Sequence, residues 1–125
     1  MKEIKTTNAP LAIGPYSQAI LSKGFLFISG QIPINPVSGQ VESTTIEGQT
    51  RQVLANLEAI LKAADLSFDH VVKSEIYLKD LSHFSVVNAL YAECFKGEIK
   101  PARQTMQVAK LPLDALIEIS CIACV

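Results

Sequence analysis

The stretch Val71–Lys79, VVKSEIYLK, decides the fold class. Val72, Ser74, Ile76 and Leu78 fall on one face and Val71, Lys73, Glu75, Tyr77 and Lys79 on the other, the two-residue period of a half-buried strand. Phe25–Gln31, Gln104–Leu111 and Leu116–Val125 read the same way and are rich in Ile, Val and Phe, side chains that pack well on a pleated surface. Elsewhere the period lengthens to that of a helix. One helix is predicted from near Thr44, where Thr44 and Glu47 have capping-box spacing, with Val53, Leu57, Ile60, Leu61 and Ala64 on one stripe. A second is predicted over Ser82–Phe95, with Phe84, Val87, Tyr91, Cys94 and Phe95 on its apolar side. Turn signals separate these units at Pro33–Gly39 and Lys96–Pro101.

Strands alternating with only two helices point to an α+β sandwich, a mixed sheet with both helices on a single face. The other face then has no cover from this chain. In a closed homotrimer three such faces can meet in a barrel-like core, with clefts where subunits abut. The composition agrees: 49% hydrophobic against 18% charged residues, with a mean hydropathy of +0.28, leaves apolar surface that a partner would bury. No shift in composition marks a linker, so residues 1–125 are expected to form one domain.

A formal charge of −1 offers no field for DNA, RNA or anionic lipid, and no nucleic-acid partner is expected. Without a signal-like N-terminus or a long apolar run, the expectation is a cytoplasmic protein that no membrane holds. Of the three cysteines, Cys121 and Cys124 spell C-x-x-C. On a strand, positions three apart face opposite sides and cannot share one ion, so no metal site is expected.

Two residues stand out chemically. Arg103 opens a strand after Pro101 and Ala102, and a guanidinium can hold a carboxylate through two parallel hydrogen bonds. Glu118 lies among Leu116, Ile117, Ile119 and Ile122. A carboxylate there must be paired, raised in pKa by desolvation, or facing a cleft that holds water. On adjacent late strands the two would supply one site with an anion clamp and a water-orienting base. Gly14, Pro15 and Tyr16 make a tight lead-in to the second strand. Ser29 and Gly30 follow three bulky residues, and a glycine within a strand marks a bulge or a close approach. Asn88 shares helical spacing with Phe84, Tyr91 and Phe95, which predicts a buried amide with its hydrogen bonds met. His70 should lead into a strand and His83 should be solvated near a helix start; neither belongs to a nucleophile motif.

Five segments occur in register: GPYSQA at 14–19, ISGQIP at 28–33, PAR at 101–103, VAKLP at 108–112 and IEI at 117–119. Together they resemble the reactive intermediate/imine deaminase (Rid, YjgF-type) family over the whole chain. The resemblance implies a chorismate-mutase-like α+β fold and a homotrimer with active sites between subunits. It also implies hydrolysis of enamine and imine intermediates of the 2-aminoacrylate type to 2-oxo acids and ammonia, with no metal or organic cofactor. By the same resemblance Arg103 binds the substrate carboxylate and Glu118 orients water, while Tyr16, Ser29, Gly30 and Asn88 line or support the cleft. Many members of the subgroup carry a cysteine two residues after the arginine. Here that position is Thr105; the family site uses the backbone there as well as the side chain, so the resemblance implies that substrate binding can survive while any reactivity of that thiol cannot. The alternative is a non-catalytic protein that senses 2-oxo acids through the same cleft, in which Arg103 is essential and Glu118 is not.

Overall fold

The computed structural model describes all residues, 1–125. Strands β1 (Lys2–Ile4), β2 (Ala19–Ser22) and β3 (Phe25–Gln31) lead to a short hairpin of β4 (Ile34–Asn35) and β5 (Gln40–Val41). Helix α1 (Ile46–Ala63), β6 (Val71–Leu78), α2 (Phe84–Cys94), β7 (Ala102–Gln107) and β8 (Ile117–Cys124) complete the chain. The main sheet has the order β1-β2-β3-β8-β6-β7. Only β6 and β7 run parallel, joined by a crossover through α2; the other pairs are antiparallel. The expected α+β architecture is present, with both helices on one face.

Local chemistry accounts for the elements. Lys23 (φ 51°) and Gly24 (φ 81°) form the two-residue turn between β2 and β3; positive φ at both centres matches the turn to the twist of the strands. Helix α1 is capped by Thr45, whose side chain accepts from Gly48 N, not by the predicted Thr44. Its stripe is otherwise as read, and Val53, Leu57, Ile60 and Leu61 are fully buried. The second helix starts later than predicted, because a short 3-10 turn at Leu81–His83, capped by Asp80, precedes it. His83 is therefore half-buried at the junction, with Nδ1 enclosed and unpartnered, and is not the solvated residue expected.

Leu26, Ile28, Ile76, Leu78, Ile117, Ile119, Cys121 and Ala123 face the helices and form one core with Val53, Leu57, Ile60 and Leu61. Each buried Leu, Ile and Val side chain among them contributes roughly 1.5–3 kcal/mol. The alternation of β6 slips at its start: a bulge between Val71 and Lys73 buries Val71 and leaves Val72 43% exposed, the reverse of their predicted faces. The strand predicted at Gln104–Leu111 instead occupies Ala102–Gln107. It follows Pro101, and its backbone is paired only along β6. Cys121 is buried and Cys124 partly exposed, on opposite faces of β8 as expected.

The second sheet face is uncovered. Phe25 and Phe27, 42% and 46% exposed, sit there with their rings 6.4 Å apart, beside Ile122. No helix is long and apolar enough to cross a membrane.

Candidate functional site

The Glu118 side begins with a knot in the N-terminal segment. Buried Gln18 donates from Nε2 to the carbonyls of Thr6 (3.0 Å), Ala9 (3.3 Å) and Pro10 (2.7 Å) and accepts at Oε1 from Thr6 N (2.8 Å). Ser29 Oγ donates to Ser17 O at 2.6 Å and Ser29 N to Gln18 O at 3.0 Å. These bonds hold residues 6–18 against the bulged end of β3, where the register with β8 shifts between Ile28 and Gln31. The resulting cleft of about 290 Å³ is lined by Tyr16, Gly30, Ile32, Pro112 and Glu118 among others.

Gly30 is required by space. A β-carbon there would stand 2.8 Å from Glu118 Cδ and closer still to Oε2. Its φ is not left-handed, so close approach is the reason for the glycine. The far wall is positioned by Asn56, whose Nδ2 donates to Ile32 O (3.3 Å) and Ile34 O (3.0 Å). Gln49 accepts from Leu116 N at 2.8 Å, fixing the start of β8. The Pro112–Asp114 turn beside the cleft holds Leu113 and Asp114 at φ 55° and 53°, a strained conformation for side-chain-bearing residues.

Glu118 projects from the uncovered face of β8, half-buried, and no cation of the chain pairs with it. Burial raises its pKa above the usual carboxylate range. Its cross-strand neighbour Tyr77 donates a short hydrogen bond to Glu75, which also meets Lys73 Nζ at 3.3 Å. The Tyr77 bond, then Lys73, lowers the pKa of Glu75. Two carboxylates on one sheet face are thus pushed in opposite directions, the environment by which an acid–base group separates from a structural one.

Arg103 stands elsewhere. It pairs with Ser74 in the β6–β7 register and shares Ser74's face, toward α2. Its Nη1 donates to Asn88 Oδ1 at 2.7 Å, and its Cζ lies 5.3 Å from the Phe84 ring centre and 4.9 Å from that of Tyr91. Tyr91 is in turn fixed, stacked on Phe95 at 4.0 Å and donating to Ser74 Oγ at 2.9 Å. This clamp orients the guanidinium without neutralising it, because no carboxylate faces it. The adjoining cleft, about 380 Å³, is lined by Asn88, Tyr91, Phe95, Lys100 and Arg103 among others. Thr105 lies two residues along β7 on the same face, partly exposed.

The predicted residues therefore fall into two groups: Tyr16, Ser29, Gly30 and Glu118 in one, and Asn88, Arg103 and Thr105 in the other. Two expectations are corrected. Arg103 and Glu118 are not on adjacent strands, since β6 lies between β7 and β8. Arg103 pairs with Ser74 and Glu118 with Tyr77, so the two are displaced by roughly 10 Å along and about 10 Å across the sheet, and they point to opposite faces. Asn88 is exposed, not buried, and its amide is met by Arg103. Sequence reasoning missed Gln18, Asn56 and Gln49, which hold the cleft walls. A glutamine inside GPYSQA and amides on the apolar stripe of a helix were the available signals.

Known proteins resemble the chain over nearly its whole length. The family model described as Endoribonuclease L-PSP matches residues 6–125. A RutC family protein of Pyrococcus horikoshii is 56% identical, with 98% of each chain covered. The chloroplastic Reactive Intermediate Deaminase A of Arabidopsis thaliana is 48% identical over 96% of this chain and 64% of its own length. The crystal structure of YyfA from Yersinia pestis, described as a protein of unknown function of the conserved Rid family, superposes with a TM-score of 0.97 at 52% identity, covering 99% of this chain and 98% of its own.

Proposed function

Since the chain belongs to the YjgF/RutC/Rid family, we propose that it hydrolyses reactive 2-imino acids, and the enamines that tautomerise to them, to 2-oxo acids and ammonia. The observation that carries this reading is a complementary pair of unpartnered ionic groups. Arg103 is a fixed cation with no carboxylate, and Glu118 is a half-buried carboxylate with no cation. Because they point to opposite faces of one sheet, a site that uses both takes Arg103 from one copy and Glu118 from its neighbour. A homotrimer closed over the uncovered face, with Phe25, Phe27 and Ile122 inside, brings such halves together at each boundary.

In the proposed reaction Arg103 holds the C1 carboxylate and presents C2 to a water on Glu118 of the adjacent copy. The water oxygen bonds to C2, one water proton passes to Glu118, and the imine nitrogen is protonated from solvent as the C=N bond becomes single. Glu118 then returns its proton to nitrogen, the C–N bond breaks, ammonia leaves, and the C2 hydroxyl becomes the carbonyl on losing its proton. A raised pKa suits Glu118 to both transfers, since the ideal value for such a group lies near the working pH. This favours catalysis over a purely sensing role, which has no use for a perturbed, unpaired carboxylate.

The test is pyruvate or 2-oxobutyrate release in a coupled dehydratase assay. Acceleration by the wild type, absent with Arg103→Ala and Glu118→Ala, supports the reading; unchanged acceleration with either variant would overturn it. A protein that stays monomeric in sedimentation at assay concentration would remove the shared site.

A further inference from the structure

The cleft beside Arg103 carries a second fixed cation. Lys100 Nζ donates to Phe95 O at 2.7 Å, satisfying a carbonyl just past the C-terminus of α2. That bond uses one of three ammonium protons and leaves two for a ligand. Lys5, Arg51, Lys62, Lys73 and Lys79 all pair with carboxylates, whereas Lys100 and Arg103 pair with none and are held instead by neutral acceptors. The space they share, about 380 Å³, is lined otherwise by Asn88, Tyr91, Ala92, Phe95 and Pro101, with no acidic residue. An anion entering it meets positive charge from two directions.

The pairing of charges selects the anion. Lys100 and Arg103 border the same cleft and neither is neutralised by a carboxylate of the chain. A dicarboxylic acid can set one carboxylate on each cation, whereas a monoacid leaves Lys100 facing water. We propose that Lys100 is a specificity-determining residue that takes the distal carboxylate of a dicarboxylic 2-imino acid whose C1 carboxylate rests on Arg103. The inference rests on the imine-hydrolase reading above. Water still adds at C2 and ammonia still leaves; both carboxylates pass through unchanged, and the product is a dicarboxylic 2-oxo acid.

The experiment compares imines generated in place from aspartate or glutamate with that from alanine, read as the ratio of their kcat/KM values. Calorimetric binding of 2-oxoglutarate against pyruvate runs in parallel. Lys100→Met is expected to lower the diacid-to-monoacid ratio about tenfold, the loss of one solvent-edged charge-assisted contact. Lys100→Arg, which can still reach Phe95 O, is expected to retain most of it, and Lys96→Met, outside the cleft, to leave it unaltered. The calorimetric advantage of 2-oxoglutarate should vanish in Lys100→Met. A protein that hydrolyses the alanine-derived imine with a ratio insensitive to Lys100→Met overturns this inference and leaves the hydrolase reading standing. Hydrolysis of neither imine, with a 2-oxoglutarate preference that depends on Lys100, overturns the hydrolase reading and supports the distal contact.

Discussion

The carboxylate of Glu118 occupies space that a side chain on Gly30 would fill, with Cδ only 2.8 Å from the position a β-carbon would take. The two residues sit on neighbouring strands, β8 and β3, at the point where a bulge breaks their register. The glycine thus sets where the carboxylate can lie.

Gly30→Ala is therefore expected to push the Glu118 carboxylate aside. Gly30 is exposed and its backbone is not left-handed, so the fold should tolerate the methyl while kcat falls by about 100-fold, as misplacements near 1 Å do. Steady-state kinetics with a thermal melt separates the two effects. Wild-type kcat in the variant would show that the position of Glu118 does not matter.

Arg103→Ala and Glu118→Ala, each inactive alone, are expected to complement when unfolded together and refolded. With one residue of each site drawn from each neighbour, random mixing restores about a quarter of the sites. Absence of recovered activity in verified mixed oligomers would overturn the shared site.

The pH dependence follows from the raised pKa of Glu118. The folded chain holds this proton more tightly than the unfolded one, so stability from this group is greatest below the ordinary glutamate value of about 4.3. It declines as pH rises from there through the raised folded value. Activity runs the other way, because water activation needs the carboxylate: kcat/KM should show an acid limb centred above about 4.3. Glu118→Gln should flatten the stability slope in that window. An acid limb in the wild type at or below the ordinary value would argue against Glu118 as the base.

Tyr91 is expected to act on substrate binding through Arg103. Tyr91→Phe keeps the ring under the guanidinium and loses only the bond to Ser74, costing about 1 kcal/mol of stability with little change in KM. Tyr91→Leu removes the stacking surface and should raise KM about threefold, within the range of a cation–π contact at an exposed arginine. Equal KM values in the two variants would mean that the ring does not orient Arg103.

RNA binding is expected to be weak although the matching family is described as Endoribonuclease L-PSP, because a net charge of −1 gives a polyphosphate no field to follow. Fluorescence anisotropy of a labelled single strand, titrated with salt, checks this. Submicromolar binding near 150 mM salt with a steep salt slope would reverse it.

Alternation in Val71–Lys79 and Leu116–Val125 and the stripe of Val53, Leu57, Ile60 and Leu61 were enough to determine an α+β sheet with helices on one face, because burial of one face imposes its period on the residues themselves. The same local rules made Arg103 and Glu118 conspicuous, a cation after Pro101 and an acid among isoleucines. They could not say that β6 would come between β7 and β8, since strand order depends on contacts far apart in sequence. Nor could they detect the bulges at Val71–Lys73 and Ile28–Gln31, where one extra residue moves side chains to the other face. Only the tertiary structure decided that the guanidinium and the carboxylate face apart, because the face of each side chain depends on a strand register set by distant partners, and on that separation the proposal of a site shared between copies rests.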